Sequence, residues 1–241
     1  MAMTCLGVLS TVTHLRTFSL DRVLLNRESS SGISLDAHFL SQNLIDLIWI
    51  LLSPALFLGP YYYLTLPRQS FSEYYVVAVF VCWWTSGMAY MISALLPPST
   101  VLMTGVFVAL ILGAFVQGLT PTIASSRGTF LEVLMGISYN RWAMEALTIN
   151  EFNYYQDNLR IATIMIFKGI GLCGMDKVLV VDGGGTLTPR EAISFLHVQK
   201  TFDSSYYHKY EMTALAVLAG LGMAFRLVAW LSLKFVKRSQ Y

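Results

Sequence analysis

Asp46 and Arg226 are ionisable side chains set inside otherwise apolar stretches. A charge in hydrocarbon is costly, so each raises a pathway role for substrate or ions. Each also has a plain structural account. Asp46 lies near the expected start of its helix, where a carboxylate suits the N-terminal dipole. Arg226 lies about two turns from a basic chain end and can partly snorkel toward it. His208 and Glu211 stand three residues apart, but a metal would need more ligands, and His14, His38 and His197 are scattered. The reading is therefore no metal site and no catalytic set. Asp182-Gly183-Gly184-Gly185 has no strand–helix context and reads as a loop. No G-x-x-x-x-G-K-[ST] loop occurs in the 241 residues, so nothing here cradles nucleotide phosphates. Cys5, Cys82 and Cys173 form no C-x-x-C. The first two lie in apolar segments and read as buried small hydrophobes. Cys173 lies in a polar segment and could form a disulfide only with another chain.

The elements that carry these residues are set by hydropathy. The chain is 55% hydrophobic and 12% charged, where soluble proteins average about 25% charged. From 74 to 126 no side chain is charged. A spanning helix needs about 20 mainly apolar residues, so two helices fit there, at 74–96 and 101–120, joined through Leu95-Leu96-Pro97-Pro98-Ser99. Further spans are expected at 43–66, which contains Pro54 and Pro60, and at 212–233. The fold class is an all-α, multi-pass integral membrane bundle, in the plasma membrane or another cellular membrane. Residues 1–15 are apolar but short and lack a signal peptide's basic start, so they read as the remnant of a helix begun upstream. A net charge of +2 with no basic–aromatic cluster argues against nucleic acid as a partner.

Between the spans, 16–42 is polar and ends in an expected short amphipathic helix at 33–40. The segment 121–210 is mixed. Helical spacing runs through 128–155, a second helix is expected at 157–167, and Thr188-Pro189-Arg190-Glu191 is a capped helix start. Basic residues Arg16, Arg22 and Arg27 mark one loop, and Lys234, Lys237 and Arg238 mark the tail 234–241. Four spans separate them, which puts both on the cytoplasmic side and 121–210 outside. In the last span Ala216, Gly220 and Ala224 recur every four residues, a spacing that permits close helix contact within or between chains. Helix 74–96 reads as a packing and lipid-facing helix, and 101–120 as the likelier wall of a path.

Two sequence patterns resemble a known group. Phe18-x-x-Asp21-Arg22, then Arg27-Glu28-x-x-x-Gly32, then a helix opening with Asp46, resembles the segment after the second membrane helix of G-subfamily (white/breast-cancer-resistance-type) ABC transporters. Ser138-Tyr139-Asn140-Arg141-Trp142-Ala143-x-Glu145-Ala146-Leu147, followed by Asn150-Glu151-Phe152, resembles that subfamily's re-entrant segment. The resemblance covers nearly the whole chain. It implies a C-terminal fragment of an ABC-2 type transmembrane domain, beginning within its second helix. ATP and Mg would then be bound by an ABC nucleotide-binding domain outside this chain, and a second half-transporter, identical or not, would complete the dimer.

The resemblance also implies residue roles. Arg27, Glu28 and Gly32 correspond to the coupling helix that docks on the ATPase domain. Leu110, Ile111 and Ala114 correspond to cavity-facing positions of the substrate path. Gly118-Leu119-Thr120 corresponds to a Gly-Leu-Leu plug, with Thr120 interrupting the hydrophobic seal. Arg141, Trp142, Glu145, Asn150 and Glu151 carry the re-entrant motif. The family's external cysteine pair is reduced here to Cys173, so an internal disulfide there is excluded. The function implied is the substrate-translocating part of an ATP-driven exporter of amphipathic or lipid-like molecules. The rival is a polytopic membrane enzyme, or a non-transporting channel or accessory subunit, using Asp46, Glu145 or His208. It requires those groups to meet at one depth.

Overall fold

A computed structural model of the chain describes residues 2–18, 34–67, 69–117, 126, 128–154 and 211–238. All regular structure among them is helical. In chain order the helices are α1 (Ala2–His14), α2 (Leu35–Thr65), α3 (Phe71–Leu95), α4 (Pro98–Leu110), α5 (Phe130–Ile137), α6 (Tyr139–Tyr154) and α7 (Glu211–Arg238). A single π turn, Ile111–Phe115, continues α4. Four helices are long and apolar enough to cross a bilayer: Leu35–Thr65, Phe71–Leu95, Pro98–Phe115 and Met212–Lys234.

Helix α3 is the centre of the bundle. It packs against α7 most extensively, then α1, α2, α6 and α4. Within its apolar window 72% is buried, against 17%, 28% and 33% for the other three spans. Val77, Ala78, Val81, Trp84 and Met88 supply its core face. This bears out the packing part of the reading of 74–96 and corrects its lipid-facing part. Helix α2 instead exposes Leu44, Ile48, Leu52 and Leu56 at helical spacing. Lipid tails are as apolar as leucine, so burying those residues in protein would gain little.

Helix α2 starts at Leu35, well before 43, and absorbs the expected short helix at 33–40. At 1.5 Å per residue its 31 residues reach about 46 Å, longer than the ~30 Å hydrocarbon core. Nothing breaks the helix where the polar turns give way to apolar ones. Pro54 and Pro60 lie inside it. Near the first of them Tyr75 donates its hydroxyl to the Leu51 carbonyl at 2.9 Å. Proline leaves carbonyls of the preceding turn without their helical donor, and neighbouring side chains re-satisfy such backbone in membranes. The helix stops at Leu66, in the left-handed region (φ 46°), just before Pro67.

Helix α7 meets α3 at two glycines. A methyl group on Gly87 would stand 2.6 Å from the Gly222 carbonyl oxygen, so the backbones touch. The small-residue row Ala216, Gly220 and Ala224 is not this contact. All three are exposed, and nothing lies within 4 Å of where a Gly220 side chain would begin. The packed face runs through Ala214, Leu218, Gly222, Arg226 and Ala229. Cys82 is buried as expected, but Cys5 is exposed.

Candidate functional site

Two clusters of polar side chains lie inside the apolar bundle, and the ends of α1 reach both. The first joins α2, α3 and α7 around Arg226, which is only 4% exposed. Its Nε donates to Asn43 Oδ1 at 3.0 Å. One terminal nitrogen donates to the carbonyls of Trp83 (2.8 Å) and Gly222 (3.2 Å), and the other to Ser86 Oγ (2.6 Å). The guanidinium lies 3.6 Å from the centre of the Trp83 ring and 5.4 Å from that of Tyr90. Arg226 therefore does not snorkel. Protein groups replace its water on three helices.

Asp46 belongs to the same region. It accepts a hydrogen bond from the Tyr90 hydroxyl and a longer one, 3.4 Å, from Thr17 Oγ1. Its placement at a helix N-terminus is corrected, because α2 begins at Leu35 and Asp36 is the acid of the first turn. Tyr90, Phe18 and Phe39 pack edge-on or stacked against one another, and His14 meets the Tyr90 ring edge-on at 6.1 Å. Phe18 of the Phe18-x-x-Asp21-Arg22 pattern thus anchors the end of the first described segment against α2 and α3.

The second cluster surrounds the π turn. Ser138 Oγ donates to the Leu112 carbonyl at 2.6 Å. Asn140 Nδ2 lies 2.7 Å from the Gly113 carbonyl, 2.9 Å from Gln117 Oε1 and 3.1 Å from Thr4 Oγ1. Thr4 also donates to the Gly113 carbonyl at 3.3 Å, and the Tyr139 hydroxyl to that of Ala109 at 3.3 Å. The Ser138-Tyr139-Asn140 corner of the re-entrant pattern thus docks onto backbone carbonyls of the α4 segment.

Beyond that corner, Arg141 and Glu145 face each other one turn apart on α6 at 3.7 Å, both buried. Arg141 also lies 4.0 Å over the Trp142 ring, and Trp142 Nε1 donates to the Gly136 carbonyl at 2.8 Å. Asn150 is buried on the same helix, and Glu151 lies in its last turn. The re-entrant motif is thus brought together as one helix with its own ion pair.

The path residues split. Leu110 is 40% exposed, whereas Ile111 and Ala114 are half-buried beside the π turn. Arg27, Glu28 and Gly32, the plug Gly118-Leu119-Thr120, Cys173, His197, His208, the 157–167 helix, the 182–185 loop and the 188–191 helix start lie outside the described residues. Among the described residues no three His, Cys, Asp or Glu groups gather as metal ligands. Asp46 and Glu145 engage different partners, the first Tyr90 and Thr17, the second Arg141.

Sequence reasoning passed over Asn43, Ser86, Tyr90, Thr4, Gln117 and the donor roles of Ser138, Tyr139 and Asn140. A signal was present, since hydroxyl and amide side chains in charge-free helices must find partners. Spacing alone does not say which helix supplies them.

Residues 1–168 match the family model described as ABC-2 type transporter. Among curated proteins, the chain is 35% identical over 149 residues to the ABC-type transporter claG of Penicillium crustosum, covering 60% of this chain and 19% of that protein. It is 30% identical over 155 residues to ABC transporter G family member 25 of Oryza sativa subsp. japonica (59% and 13%). To ABC transporter G family member 28 of Arabidopsis thaliana it is 26% identical over 150 residues (62% and 13%). The chain thus spans about an eighth to a fifth of the length of these relatives. No solved structure matches it. With four spans and a family match over most of its length, this multi-pass integral membrane protein belongs to the ABC-2 type transporter family.

Proposed function

We propose that the chain is the membrane-spanning, substrate-translocating part of an ATP-driven exporter of amphipathic or lipid-like small molecules. The observation that carries this reading is the ABC-2 family match over residues 1–168. The chain contains no phosphate-binding loop, so ATP hydrolysis belongs to an ABC nucleotide-binding domain docked near 27–32. A second half-transporter, identical or not, completes the path. ATP binding favours the outward state through contacts that differ between states, and those contacts lie on the nucleotide-binding domain.

The substrate wall proposed is the α4 segment at Leu110, Ile111 and Ala114, ahead of the plug at 118–120. Cargo of this class suits a wall with no charge from 74 to 126. The rival enzyme reading has less support, because Asp46 bonds Tyr90 while Glu145 pairs with Arg141 on α6. A photo-crosslinking side chain at Leu110 or Ala114 tests the wall directly, with a diazirine-free fluorescent fatty amine as the probe. The expected result is labelling at 110 and 114 that an excess of unlabelled amine suppresses. Leu44, on the exposed face of α2, should label without such competition. Equal, non-saturable labelling at all three positions would overturn the assignment of α4.

A further inference from the structure

One apolar cluster brings four helix ends together. Phe18 after α1, Leu35 and Phe39 at the start of α2, Tyr90 and Ala94 near the end of α3, and Ala229 and Leu233 near the end of α7 all belong to it. Arg16 stands two residues before Phe18, and Lys234 directly follows Leu233. Helix α7 continues to 238 through two more basic residues, Lys237 and Arg238. Asp36, in the first turn of α2, is the acid at this end. The opposite end is acidic, with Glu73 in the first turn of α3 and Glu211 opening α7. Arg226 and Arg141, by contrast, are engaged inside the bundle.

Lys234 is the last residue of the span Met212–Lys234, so it stands where hydrocarbon gives way to head groups. One turn earlier, Trp230 Nε1 donates to Asp36 Oδ1 at 2.6 Å, which pins the indole between α7 and α2. The Lys234 ammonium lies 4.7 Å from the centre of that ring. A neutral ring thus positions the cation, where a carboxylate would neutralise it. Lys234 and Arg16 are both exposed, and no ion pair engages either among the described residues. On the same face of α7, Leu227 and Leu231 precede Lys234 at helical spacing and are exposed.

An apolar strip topped by an available cation at the membrane boundary has the layout of a phospholipid. We propose that this end of α7, together with Arg16, binds one acidic phospholipid of the facing leaflet. Its negative head group meets Lys234 and Arg16, and an acyl chain lies along Leu227 and Leu231. A choline head carries its own cation, which the same basic residues repel, so the acidic head is selected. Asp36 opposes that head, which makes its charge a test of sign. The site stands apart from the transport reading and does not depend on it.

The test uses the purified full chain in dodecyl maltoside micelles. It is titrated with dansyl-phosphatidylserine or dansyl-phosphatidylcholine and read by energy transfer from tryptophan. The parent chain should saturate with the serine lipid and bind it several times more tightly than the choline lipid. Lys234→Gln should weaken the serine lipid about fivefold, and Arg16→Gln should weaken it in the same direction. Asp36→Asn should tighten it, because a like charge is lost while the amide oxygen still accepts from Trp230. Glu211→Gln, at the opposite end, should leave it unchanged. Inorganic phosphate in molar excess should not displace the lipid. Equal affinity of the parent for the two lipids overturns the proposal, whatever the variants do. Unchanged affinity in folded Lys234→Gln overturns it too, as does an effect of Glu211→Gln as large as that of Lys234→Gln. Displacement by phosphate would mark a site for a free anion and overturns it as well.

Discussion

Arg226 links three helices through one buried side chain. Three donor contacts and a stacked tryptophan tie α7 to α2 and α3 through one guanidinium, and a fourth donor contact returns to Gly222 on α7 itself. Replacing it with methionine keeps the length and removes the charge, but leaves buried Ser86 and half-buried Asn43 without this partner. Each orphaned polar group costs about 1–3 kcal/mol. Partial re-pairing within the membrane lowers that figure. The expected outcome for Arg226→Met is a loss of about 2–4 kcal/mol of stability, seen as a lower melting temperature in detergent. Arg226→Lys should recover only part, because an ammonium cannot reproduce the planar fork. An unchanged melting temperature for Arg226→Met would show that the cluster is not structural. Hydropathy made Arg226 and Asp46 visible as exceptions. Their partners were not, because Asn43 stands 183 residues from Arg226 and Tyr90 stands 44 from Asp46, and each pair meets only through helix packing.

Among the elements, α3 and α7 set the frame and α4 ends in the π turn. The α3–α7 contact depends on backbone approach at Gly87 and Gly222. Gly87→Ala places a methyl group against a carbonyl oxygen, a strain of about 1–3 kcal/mol. Gly220→Ala, on the open face, should be neutral or slightly stabilising, since alanine is the better helix former. Thermal melts of the two variants check this, and equal effects would contradict the assigned face. A small-residue row at four-residue spacing was legible on α7, but it is not the packed one. Periodicity identifies a face without saying which of several faces another helix covers. The long reach of α2 was misjudged for a related reason: hydropathy marks where hydrocarbon begins, not where hydrogen bonding begins. The π turn had no sequence signal, because its cause lies in side chains from α1 and the 138–140 corner.

For the whole molecule, the four spans and their order were open to reading because charge-free length is a property of the chain itself. The central α3 was not, because all four spans are comparably apolar and only packing ranks them. Under the proposed function the chain is a translocating unit that works with an ABC nucleotide-binding domain. Proteoliposomes test that most directly, using a fluorescent amphipathic amine as cargo and a measured orientation of the protein. The account predicts no ATP-dependent flux from the chain alone, and ATP-dependent flux once an ABC nucleotide-binding domain is shown to be bound. ATP-dependent flux from the chain alone, or none above protein-free liposomes from the verified complex, would contradict it.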